Sequence, residues 1–173
     1  MRMLIRWCLL GTLLLSTASA RIASTTIEAL IENSDAIVVA KVTELLPTST
    51  EKGDLVYATA RVEHSLKGSL TESFMFYASA GWVCDASGAI KDETALFFLG
   101  RSDNGVYYIQ HAGRGRMPFR EIDGKTYVTL WDDVVLPAKA PLVAGPEPKY
   151  SFIRSVELSY LEGLVSRQLR AAK

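Results

Sequence analysis

Two segments of this sequence, 36–46 and 94–99, are apolar at odd and even positions alike, which restricts the fold more than any other feature. Successive side chains of a strand point to opposite faces, so a strand apolar on both must be covered on both. The first segment is rich in β-branched residues (Ile37, Val38, Val39, Val42) and stops at Pro47. That reads as a strand with a barrel interior on one side and a helix on the other. The second, Thr94-Ala95-Leu96-Phe97-Phe98-Leu99, reads as a central buried strand.

The neighbouring segments supply the rest of a sheet. Residues 56–66 alternate: Val56, Ala58, Ala60, Val62 and Leu66 are expected on the core side, with His64 sharing their parity at the end of the core. Residues 74–80 form a further predicted strand, followed by a loop over 81–92. Asp103-Asn104-Gly105 and Asp123-Gly124 mark two hairpins, the second with the signal of a type I′ turn. Before the sheet, Thr25 and Glu28 have capping-box spacing ahead of Ile27, Leu30 and Ile31, so a short helix opens the fold. After it, 137–150 carries four prolines and reads as a linker. Ser151 is then the expected cap of a helix over 151–170, with an apolar stripe of Ile153, Val156, Tyr160, Leu161, Leu164, Val165 and Leu169. The expected class is α+β, mainly β: an antiparallel OB-like β-barrel over 21–136, with a short N-terminal helix and a C-terminal helix packed on it. Closing the sheet into a barrel removes exposed edges.

Residues 1–20 read as an export signal. Arg2 and Arg6 precede an apolar run over 7–15, then small residues at Ala18 and Ala20 fit cleavage after position 20. The run falls short of the ~20 residues that span a bilayer, and no transmembrane segment is expected after cleavage. Cys8 lies inside the run without the small preceding residue of a lipidation site. Removing Arg2 and Arg6 from 19 basic and 19 acidic residues leaves a formal charge of −2, unlike a nucleic-acid binder. Cys84 is then the only cysteine, so stability must come from the core. An exported domain without paired cysteines points to a bacterial periplasm or medium.

Three stretches carry a family resemblance: Asn33-Ser34-Asp35-Ala36-Ile37-Val38-Val39-Ala40-Lys41-Val42, then Ala60-Arg61-Val62-Glu63-His64-Ser65-Leu66-Lys67-Gly68, and Ala95-Leu96-Phe97-Phe98-Leu99. Together they resemble the tissue-inhibitor-of-metalloproteinase-like, or netrin-like, OB-fold, in a bacterial exported form. The resemblance implies a barrel that binds a partner. The animal inhibitors chelate zinc through an N-terminal cysteine, whereas the expected mature chain begins at Arg21 and lacks the family's disulfides. Inhibition by that route is not expected here.

No motif for catalysis, a cofactor or a metal stands out. Cys84 can be a buried thiol, a disulfide partner or a nucleophile; Asp85 beside it and Trp82 near it oppose the lowered pKa a reactive thiolate needs. His64 and His111 are the only histidines, and no local spacing makes a metal site with Cys84. The loop His111-Ala112-Gly113-Arg114-Gly115-Arg116 reads as a turn-rich connection, or as an anion nest whose backbone N–H groups work with Arg114 and Arg116. Asp132-Asp133 reads as a polar strand end rather than a calcium loop. Trp82, Tyr107, Tyr108, Phe119, Tyr127 and Trp131 provide aromatic surface for core packing or for a partner. The expected function is a non-enzymatic exported binding module, contacting another protein or an envelope component through Trp82, Cys84, Arg114 and Arg116. The alternative is a thiol-dependent redox or hydrolytic protein using Cys84.

Overall fold

The computed structural model describes residues 22–50, 53–81, 84–144 and 153–172. The expected signal at 1–20, Trp82, the expected cap Ser151 and part of the proline-rich stretch lie outside them. In chain order the elements are β1 (Thr25–Thr26), α1 (Ile27–Asn33), β2 (Ala36–Thr50), β3 (Gly53–Lys67), β4 (Ser73–Tyr77), β5 (Thr94–Arg101), β6 (Tyr107–Ile109), β7 (Arg116–Ile122), β8 (Lys125–Trp131), β9 (Val134–Val135), β10 (Leu142–Ala144), β11 (Ile153–Glu157) and α2 (Leu158–Ala171).

Five strands close on themselves in the order β5-β2-β3-β4-β6 and back to β5, so the protein is mainly β with a closed barrel and two helices. The barrel is not wholly antiparallel as expected: β4 and β6 run parallel, Phe76 opposite Tyr107 and Tyr77 opposite Tyr108. β5 serves two partners along one side. Its residues Leu99, Gly100 and Arg101 pair with β6, while Ala95, Leu96 and Phe97 pair with β7. From β7 the sheet leaves the barrel and continues through β8, β11 and β10.

This split explains the segments that are apolar on both faces. Val38, Ala40 and Val42 of β2, with Ala95, Phe97 and Leu99 of β5, point into the barrel against Phe74 and Phe76. Their alternates Ile37, Val39, Leu96 and Phe98 point outward onto a second core with Ile27, Leu30 and Ile31 of α1 and Leu161 and Val165 of α2. The barrel interior is furnished by aromatic rings. Phe97 lies 5.4 Å from Phe76 and 6.1 Å from Phe74 between ring centroids, among Ala40, Ala58, Ala60 and Ala95.

Several boundaries differ from the sequence reading, each for a physical reason. The α1 cap is Thr26, which accepts from the Ala29 amide at 3.1 Å, one residue later than the Thr25 box predicted. At the other end Lys67 Nζ donates to the Ile31 and Glu32 carbonyls at 2.7 and 3.0 Å, supplying charge where a helix exposes unpaired acceptors. β2 runs through Pro47 to Thr50, because a proline is tolerated where the ladder is two strands wide and one side is an edge. Irregular register between β2 and β3 around Glu63 and Leu66 breaks the parity of β3. Leu66 therefore packs on the helix-side core, and His64 is exposed rather than at the end of the core.

The C-terminal assignment changes most. Ile153–Glu157 is a strand, and α2 begins only at Leu158, with Glu157 at the cap position but its side chain making no capping bond to the helix backbone. Five residues fit a period of 2 or 3.6 equally well, and the open edge of β8 selects the strand. The expected linker likewise contributes β10, which pairs with β11. The later part of the stripe holds: Leu161 and Val165 are buried, with Tyr160, Leu164 and Leu169 packed beside them. The Asp123-Gly124 turn has positive φ at both central residues, 50° and 74°, as a type I′ hairpin requires. Among the described residues no helix is long and apolar enough to cross a membrane.

Candidate functional site

Two connections meet beside the point where the sheet leaves the barrel. One is the segment 78–93 between β4 and β5; the other is 110–115 between β6 and β7. The second begins with three consecutive left-handed residues, His111, Ala112 and Gly113, at φ 52°, 48° and 84°. Such a run is uncommon for side chains other than glycine's and must be held by its surroundings. Ala86 N–H donates to the Ala112 carbonyl at 3.0 Å, and His111 Nε2 lies 2.6 Å from the Ala23 carbonyl. The Gly115 carbonyl accepts from Phe98 N–H at 2.8 Å, tying the loop to β5.

That geometry corrects the anion-nest reading. The amides of Arg114, Gly115 and Arg116 donate to the carbonyls of His111, Gln110 and Gly113 at 3.0 to 3.1 Å, so they turn inward. Nor is the loop a solvated connection: Arg114 is only 8% exposed. Its Nε donates to Asp133 Oδ2 and its Nη1 to the Cys84 carbonyl, both at 2.9 Å, and its guanidinium sits 4.7 Å from the Trp131 ring centroid. Arg116 Nη1 donates to Glu93 Oε2 at 2.6 Å, again with both side chains mostly buried. Removing one partner of a buried pair strands the other's charge. Arg114→Ala should therefore cost about 3 kcal/mol in denaturant unfolding; an unchanged midpoint would show that Asp133 does not depend on it.

Between these groups lies a cleft of about 490 Å³, lined among others by Cys84, Asp85, Gly88, Arg114, Arg116 and Trp131. Three of the four residues singled out in the sequence thus come together, and the fourth, Trp82, lies outside the described residues. Cys84 is half-buried. Asp85 organises the near wall, its Oδ2 accepting from Gly81 N–H and its Oδ1 from Ser87 N–H, both at 2.8 Å. Burial raises the pKa of Asp85, but the Ser87 hydroxyl, the two amides and the charge of Arg114 together outweigh it, and the carboxyl is held below its ordinary value. A depressed folded value means a stabilisation complete above the unfolded pKa, about 4, and lost as pH falls through the folded one. The difference in melting temperature between wild type and Asp85→Asn should accordingly close in that acid range; a gap that persists below it would count against the bonding described.

The other singled-out residues divide. His64 is exposed, His111 binds the Ala23 carbonyl, and neither lines the cleft with Cys84. Among the described residues no group of His, Cys, Asp and Glu is placed to hold a metal ion. The described aromatic residues do not form one surface: Phe119 packs on the helix-side core, Tyr107 on the barrel core, and among those described Trp131 alone reaches the cleft. Sequence reasoning missed Glu93 and gave Asp133 no role in the site. Each holds an arginine, and the signal for Glu93 is a charge placed directly before a buried apolar run. Compared with known proteins, the chain matches no family model and no curated protein sequence.

Proposed function

We propose that the chain is a bacterial exported, non-enzymatic binding module on an OB-like barrel of the netrin-like type, periplasmic or secreted, that meets another protein or an envelope component at the cleft beside Trp131. The barrel part of this reading is supported by the strand circuit β5-β2-β3-β4-β6, in which β4 and β6, the third and fifth ring strands in chain order, pair in parallel. A barrel fold does not choose a function, so the site must. The observation that carries the reading is the convergence of Cys84, Arg114, Arg116 and Trp131 on one cleft, with both arginines fixed by Asp133 and Glu93. Groups held in this way lose little freedom on binding, which favours recognition. Tryptophan and arginine are also the residue types that dominate binding energy at protein interfaces.

The test is capture from the extracytoplasmic fraction with the mature protein and with Trp131→Ala as paired baits. A partner retained by the first and lost by the second is expected; equal recovery by both would remove the site.

Cys84 facing the cleft is the one observation behind a second reading, a thiol-dependent redox or hydrolytic activity. The described lining supplies no imidazole to take up the thiol proton, which favours binding over nucleophilic attack. Slow labelling of native Cys84 by a thiol reagent is the expected result, and fast labelling together with a turnover lost in Cys84→Ala would reverse the preference.

A further inference from the structure

A second cavity of about 180 Å³ adjoins the first, lined by Arg116, Pro118, Thr129, Leu130, Trp131 and Ile153. Arg116 and Trp131 line both. Resting on the binding-module reading above, we propose that the two cavities are subsites of one groove, and that the groove takes an uncharged, extended peptide segment of a partner protein. Main-chain carbonyls of that segment face Arg114 and Arg116, and alternate side chains enter the two cavities.

Charge decides against an anionic occupant. The charges of Arg114 and Arg116 are already matched by Asp133 and Glu93, and the Asp85 carboxylate lines the same cleft. A phosphate or an acidic side chain entering here would find both guanidinium charges already paired and the Asp85 carboxylate beside them. A peptide carbonyl would not, because it offers a neutral acceptor to guanidinium forks only some of whose donors are engaged by the carboxylates. Shape points the same way. The residues shared by the cavities stand on two paired strands, Arg116 on β7 and Trp131 on β8, so these two side chains form the wall between a larger and a smaller hollow. An extended segment presents every second side chain to one side, which suits two hollows flanking such a wall.

The experiment is selection of a random-peptide display library on immobilised mature protein, followed by solution binding of the enriched peptides at low and high salt. Enriched sequences should share uncharged residues at two alternate positions. Their affinity should hardly change with salt, and inorganic phosphate should not compete. Trp131→Ala should weaken them by at least about tenfold. Gly88→Tyr provides a variant that leaves the core alone: a Cβ at Gly88 meets nothing within 4 Å, and the new ring would fill the larger cavity. It should reduce affinity by a similar factor with an unchanged melting temperature. Enrichment of acidic peptides, competition by phosphate, a steep loss of affinity with salt, or full binding by Gly88→Tyr would each overturn the proposal. If wild type enriches no peptide yet still captures a Trp131-dependent partner, the peptide assignment fails and the binding-module reading stands; if both fail, so does the site.

Discussion

Gly113→Ala should lower the unfolding free energy by about 4 kcal/mol or more, a loss that few single methyl additions cause. Two effects combine. At φ 84° any side chain is strained, and a Cβ there would stand 2.1 Å from the Ala86 carbonyl carbon and 2.2 Å from the Ser87 nitrogen. Those neighbours are backbone, so nothing can rotate aside. The two connections would have to separate, giving up the Ala86 to Ala112 bond and the near wall of the cleft. Gly124→Ala isolates the first effect, since Gly124 has a similar φ of 74° but open space around it. That control should cost about 1 to 2 kcal/mol. Parallel denaturant curves decide the matter: if both substitutions cost the same, the close crossing of the loops does not hold the structure together.

The second large effect is expected inside the barrel. Phe97→Ala should cost about 4 kcal/mol, in the range for emptying a fully buried aromatic site. The ring is 0% exposed, with Phe74 and Phe76 as aromatic neighbours. Much of the remaining wall is alanine: Ala40, Ala58, Ala60 and Ala95 cannot extend to refill the space. The site therefore collapses poorly, and the cost should not fall to the low end of the range. The denaturant slope should be unchanged while the midpoint falls, since the folded surface is the same. An unaltered midpoint would contradict the interior position of Phe97.

The sequence carried the barrel well and the C-terminal part poorly. A strand apolar on both faces has few alternatives, so β2 and β5 were legible with the covering layers they require. β3 was legible as an element but not in its facing. Its irregular register against β2 depends on long-range pairing that no local pattern encodes, and parity placed His64 and Leu66 wrongly as a result. At Ile153–Glu157 a five-residue segment was joined to the helix that follows, because its period is ambiguous and its partner β8 is more than twenty positions away. In the site, Cys84, Arg114 and Arg116 were legible as unusual residues. Their company was not: Asp133 and Glu93 are ordinary carboxylates in sequence, and only folding brings them to the arginines.

β5 is a wall common to two rooms. Ala95, Phe97 and Leu99 furnish one, Leu96 and Phe98 the other, and the far side of the second is built from β8, β11 and α2. A fragment ending at residue 136 would keep every strand of the ring together with α1, yet lose Val156, Leu161 and Val165 from the cover over the outer face of β2 and β5. β11 and α2 thus finish a core whose opposite wall is the ring itself, and their removal should leave Leu96 and Phe98 more open to water.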